Sequence, residues 1–223
     1  MTLDNNASLS DPRGPTIPAA QNNNRLADNV EIQLRDGNFT YRGLANTAAT
    51  ETIGRISILG GHHIITLATS GTGTAAVTDA GDFTMVPRST VAFNTTTLGG
   101  TTQLFVSGAV PAPDPTFILP RVVTASDFVR YDAVTGFTPY TGYATDFNTP
   151  GTNVSVTAAT AVNSSVNINA LKRGTASFAI TLGSGVTLGI NSGMILSTGG
   201  TGSYTGGTIA FGFTPALSSG VTP

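Results

Sequence analysis

The sequence predicts an all-β protein of short strands joined by glycine-rich corners, and two observations carry that prediction. The first is alternation between Ala170 and Gly212. In Ser177 to Leu182 the side chains of Phe178, Ile180 and Leu182 fall on one face, because a strand turns successive residues to opposite sides. Val186, Leu188 and Ile190 repeat the pattern, then Met194 and Leu196, then Ile209, Phe211 and Phe213. The separators Gly183-Ser184-Gly185, Asn191-Ser192-Gly193 and Gly199-Gly200-Thr201-Gly202 read as corners. The second observation is composition: 37 Thr and 27 Gly stand against one Lys (Lys172) and two Glu (Glu31, Glu51). A helical protein fills its exposed positions with Lys, Glu, Gln and Arg, whereas β-branched Thr favours pleated backbone and keeps a strand face wet without charge. Regular short strands of this kind fit a β-sandwich, a barrel or a solenoid.

Four regions follow in order, within one continuous domain. Residues 1–29 form an N-terminal wrapping segment, rich in Pro, Asn and Ser, with a strand stub at Thr2-Leu3. Residues 30–110 hold the first coils, with strands at Val30–Leu34, Phe39–Tyr41, Ile53–Ile58 and His63–Leu67. Phe83–Val86, Thr90–Phe93 and Gln103–Val106 continue them. Residues 111–150 break the pattern. They carry six of the 12 prolines, and all but one of their aromatics lie between Phe128 and Phe147, which reads as a loop-rich aromatic insertion. Residues 151–223 resume the coils through Val154, Val156, Val166 and Ile168, at an assumed repeat of roughly 20–25 residues.

Composition excludes several functions. A net charge of −2 with a pI near 5.5 gives no electrostatic footprint for nucleic acid or an anionic membrane surface. The absence of cysteine removes disulfide frameworks, thiolate metal sites and cysteine nucleophiles together. No apolar run approaches the roughly 18 residues of a membrane helix, so no membrane insertion is expected. The first residues have neither a basic start nor an apolar core, so an export signal, if used, lies outside this sequence or has been removed.

The stretch Thr2-Leu3-Asp4-Asn5, then Asn24-Arg25-Leu26, then Leu34 to Gly43 resembles the opening of autotransporter-associated β-strand modules of large bacterial surface proteins. Thr50 to Leu67 is similar to their step of Glu-Thr, strand, Gly turn and strand. Asp127, Phe128, Tyr131 and Asp132 look like their Asp-Phe-x-x-Tyr-Asp insertion, and Ile168–Gly174 through Gly207–Gly212 is similar to their closing coils. The likeness runs along nearly the whole chain and in order. It implies a right-handed parallel β-helix, exported, with a structural or adhesive role and no catalysis. Such modules usually lie within longer passengers that continue in Gly-rich repeats, so the chain is expected to be a piece of a larger protein or a small complete subunit.

The chemical candidates are few. His62-His63 is the only histidine pair, but a metal site wants further His, Cys or carboxylate ligands, and after Gly60-Gly61 the pair reads as a turn and strand start. Asp127, Asp132 and Asp146 could pair as acid and base for glycoside hydrolysis, although loop aspartates usually cap turns. Lys172-Arg173 is similar to the cationic groups of pectate-lyase-like β-helices but has no adjacent Asp cluster, and reads better as a solvated corner. Tyr131, Phe137, Tyr140 and Tyr143 could stack on a carbohydrate ring, with packing of the insertion as the plainer role. Asn6, Asn38, Asn94, Asn153 and Asn163 each begin an Asn-x-Ser/Thr triplet, which a Thr-rich chain produces by chance.

The function expected is therefore that of a non-enzymatic, extracellular structural protein of a bacterial surface, a stalk or fibre subunit without cofactor or metal. Its expected partner is itself, through head-to-tail stacking of strand edges, or the flanking coils of a longer chain. A carbohydrate-binding or adhesive module taking a surface glycan is the alternative, and a polysaccharide-degrading β-helix enzyme comes third.

Overall fold

The computed structural model describes residues 1–4, 25–95 and 97–212. Among them every regular element is a strand, and the chain divides into two compact units. The first comprises Met1–Ala112, Arg121–Ala125 and Val129–Pro139; the second comprises Pro113–Pro120, Ser126–Phe128 and Tyr140–Pro223. The prolines and glycines of residues 111–150 thus serve both units.

The first unit begins with β1 (Thr2–Asp4), β2 (Glu31–Leu34), β3 (Phe39–Arg42) and β4 (Ala48–Ile53). β5 (Arg55–Ile58), β6 (Gly61–Ala68) and β7 (Thr74–Asp79) follow, then β8 (Thr84–Met85), β9 (Ser89–Asn94) and β10 (Thr102–Val106). These strands enter three parallel sheets in rotation. One sheet has the order β2-β5-β8, one runs β1-β3-β6-β9 and ends on β11 (Val122–Thr124), and one is β4-β7-β10. Between β2 and β10 the register partners lie from 24 residues apart, as Ile32 and Ile56, to 28 apart, as Ile65 and Phe93. The return is slightly longer than the assumed coil. β12 (Val129–Asp132) and β13 (Gly136–Pro139) form a separate antiparallel hairpin.

In-register stacking builds the core of this unit. Phe39, Ile65 and Phe93 pair in succession and are all buried, as are Ile32 with Ile56 and Val77 with Leu104. Each such side chain contributes about 1.5–3 kcal/mol by leaving water. One sequence expectation changes and one strand is added to those expected. The run Ile53–Ile58 is two strands in different sheets, because the chain turns at Gly54, whose N–H donates to the Val30 carbonyl at 2.8 Å. The small Thr-Ala-Ala-Val-Thr-Asp of β7 is also a central strand, although only Val77 is a large hydrophobe.

The second unit contains β14 (Asn153–Val156), β15 (Thr160–Val162), β16 (Val166–Arg173), β17 (Ala179–Ser197) and β18 (Ser203–Phe211). They join one parallel sheet in which β17 contacts β15, β16 and β18. The expected corners at Gly183–Gly185 and Asn191–Gly193 lie inside the single strand β17. There the glycines bend the strand rather than end it: Gly185 and Gly193 have φ of 72° and 70°, and the register shifts between Leu182 and Thr187 against β18 and between Ile168 and Ala170 against β16. The Gly199–Gly202 corner does separate two strands. Val154, Ile168, Leu171, Ile180, Leu188 and Ile190 make the core.

Three expectations fall outside the described residues: the wrapping path over residues 5–24, the extension of the last strand to Phe213, and the Asn6 triplet.

Candidate functional site

The four aromatics that could stack on a ligand divide between the two units. In the first, Phe137 on β13 is fully buried, with ring centroids 5.0 Å from Phe83, 5.1 Å from Phe93 and 5.2 Å from Tyr131. Its ring packs the core and has no free face. Tyr131 on β12 meets Phe137 edge-on, and its hydroxyl donates to the Val106 carbonyl and accepts from the Val106 N–H, both at 2.9 Å. That hydroxyl caps an edge of β10.

In the second unit Tyr140 and Tyr143 form an edge-on pair 5.0 Å apart, and both are half-buried. Tyr140 donates to the Gly142 carbonyl at 2.8 Å. Tyr143 accepts from the Phe128 N–H at 3.1 Å, its ring lies 6.4 Å from that of Phe128, and Lys172 Nζ stands 4.9 Å over its ring. Burial pushes the Tyr143 phenol well above its ordinary range; the Phe128 N–H opposes this and the neighbouring Asp127 carboxylate adds to it.

Each aspartate has a local structural partner. Asp127 pairs with Lys172 and accepts from Ser126 Oγ at 2.9 Å. Asp132 Oδ1 accepts from the N–H groups of Val134 and Thr135 at 2.8 and 3.1 Å and so closes the β12–β13 turn; these bonds hold its carboxyl below the ordinary carboxylate range. Asp146 accepts from the Asn148 N–H at 2.9 Å. A hollow of about 490 Å³ in the second unit is lined by Asp146, Phe147, Pro150, Val162 and Val166 among others, and Asp146 is its only carboxylate.

His62 is exposed and bonds Thr90 Oγ1 at 2.8 Å, whereas His63 is fully buried, with Nδ1 2.8 Å from the Gly37 carbonyl oxygen and Nε2 2.5 Å from that of Gly60. It laces two corners together. Among the described residues no group of three or more His, Cys, Asp or Glu side chains is placed to hold a metal ion.

Arg173 is not a solvated corner. It is 3% exposed, with its guanidinium 4.6 Å from the Phe178 ring and bonded to the carbonyls of Phe178 (2.9 Å) and Thr201 (3.1 Å). A side chain at Gly202 would occupy the space of the guanidinium, so the arginine lies directly on that backbone. The triplet asparagine Asn153 is likewise buried, and its Nδ2 donates to Thr116 Oγ1 at 2.8 Å.

Three polar clusters were not visible in the sequence. Asp79, fully buried, accepts from the N–H groups of Ile56 and Gly81, both at 2.9 Å. Glu51, also buried, accepts from the consecutive N–H groups of Arg25 and Leu26 at 2.9 and 2.7 Å. Asn169 Nδ2 reaches Asp114 Oδ2 and Asn153 Oδ1, each at 2.7 Å, and ties the 114–118 loop to the second sheet. The Asp-x-Thr pattern of Asp114 and Thr116 was the available signal, since Asp114 Oδ1 accepts from the Thr116 N–H at 2.8 Å.

No protein-family model, curated protein or solved structure matches this chain.

Proposed function

We propose that the chain is a right-handed parallel β-helix, a β-solenoid of the autotransporter-associated kind, and that it serves as a non-enzymatic structural element outside the cell. It acts as a stalk or fibre subunit of a bacterial surface and associates head to tail. The observation that carries this reading is the rotation of β2 to β10 through three parallel sheets with a return of 24–28 residues. A connection between parallel neighbours in one sheet is right-handed in almost every protein. The work done is mechanical: hydrogen bonds join each return to the next at about 4.8 Å, and stacked apolar side chains fill the interior.

Association is supported by the edges. β18 pairs with β17 alone among the described strands, and Phe211 at its end is 59% exposed. Unpaired edges template further strands, and a contact between unlike ends propagates rather than closes. Sedimentation and electron microscopy at rising concentration test this: filaments or a growing series of oligomers are expected, and a strictly monomeric species overturns assembly. Assay of the same preparation against a panel of polysaccharides should give no product, and reproducible cleavage overturns the non-enzymatic reading. Binding without cleavage that Tyr140→Ala weakens favours the adhesive alternative instead.

A further inference from the structure

Lys172 is the only lysine of the chain. It stands on β16, and its Nζ is in direct contact with Oδ1 of Asp127, 45 residues earlier. The two side chains are only 19% and 20% exposed, and the Tyr143 ring covers Nζ from 4.9 Å. Asp127 Oδ2 accepts from Ser126 Oγ at 2.9 Å, and the Tyr143 side chain lies beside Asp127. An amine, a carboxyl carbon and a hydroxyl donor therefore share one largely covered site.

Charges held in such a place have lost much of their hydration, and their mutual attraction repays only part of that loss. Condensation removes both charges at once. We propose that Lys172 and Asp127 join in an intramolecular isopeptide bond that ties the 126–128 segment covalently to β16. A proton passes from the ammonium to the carboxylate, and the neutral Nζ adds to Cγ. The C–O bond then breaks, and the hydroxyl leaves as water with a second proton from nitrogen. One ammonium and one carboxylate become one amide and one water, with no oxidant, reductant or co-reactant. Ser126 donates to a carboxyl oxygen and so polarises Cγ and stabilises the charge that develops on oxygen. Prior contact of the reacting groups makes the step unimolecular, the condition under which effective molarities become large.

This bond does not depend on the solenoid reading or on assembly. The test uses the full chain, held at neutral pH after purification, denatured, weighed intact and treated with an amine-reactive reagent. The expected mass is about 18 Da below that of the sequence, the loss of one water. Lys172 should resist labelling, and digestion should yield a branched peptide joining the segments that contain Asp127 and Lys172. Lys172→Arg and Asp127→Ala should each restore the full mass. A parent of full mass with quantitatively labelled Lys172 overturns the proposal, as does a water loss that maps to another residue.

Discussion

Asp79 illustrates how a single buried carboxylate sets a corner. Its two oxygens accept from the N–H groups of Ile56 and Gly81, so Asp79→Ala should cost about 1–3 kcal/mol in denaturant unfolding. Burial pushes its pKa up, partly opposed by those same N–H groups. With the folded value above the unfolded one, the folded chain binds the extra proton over the window between them. Stability from this group therefore falls as pH rises through that window and recovers as pH falls. Asp79→Asn should remove that component from a plot of stability against pH; an unchanged slope would show that Asp79 does not titrate differently on folding. Asp132 has the opposite sign, because its lowered pKa makes its contribution present above the ordinary carboxylate value and lost on acidification. Phe93, 1% exposed and packed on Phe137, tests the apolar stack instead: Phe93→Ala should cost about 3–5 kcal/mol, read as a lower urea midpoint.

At the scale of elements, glycines in β17 and β18 separate backbone strain from steric collision. Gly185 and Gly206 share a φ of 72°, but a Cβ at Gly185 meets open space, while one at Gly206 would lie 2.1 Å from the Leu182 carbonyl oxygen. Gly185→Ala should cost about 1–2 kcal/mol, the price of a left-handed residue. Gly206→Ala should cost more, and equal midpoints for the two variants would contradict this placement. The same elements explain what could be read beforehand. β3, β6 and β9 announced themselves because Phe39, Ile65 and Phe93 sit in alternating runs of large hydrophobes. β4 and β7 did not, since Ala49 and Ala75 carry little apolar area and their burial comes from close approach of neighbouring strands. β17 was read as three strands because glycine permits both a corner and a bend, and only hydrogen-bond register distinguishes them. Among the candidate residues, Arg173 was read as a solvated corner and Phe137 as a possible stacking face beside its packing role, because residue type does not reveal burial.

For the whole molecule, alternation established strands but could not name their partners. A period of two tells which face a residue takes and is silent on whether the neighbour is 8 or 26 residues away. The resemblance implied parallel pairing, and the structure supplies the partners, such as Phe39 with Ile65 and Ala49 with Ala75. If assembly uses the exposed edge beside β17, Thr208→Lys on β18 should shift sedimentation toward monomer, because charge on an edge strand discourages pairing. Unaltered association would place the contact elsewhere.

The even return of β2 to β10 also bears on how the chain acquires its structure. Sheet proteins generally fold slowly because distant segments must meet before any contact rewards the closure. Here no pairing from β2 to β10 closes more than 28 residues, and the entropy of closing a loop grows only logarithmically with its length. If the chain is the solenoid proposed above, each strand laid down offers a template for the one about a return later, and order should advance as a zipper from whichever pair forms first. A defect such as Phe93→Ala then acts as a stalled tooth: it should slow propagation past β9 while leaving the pairing of β2 with β5 free to form.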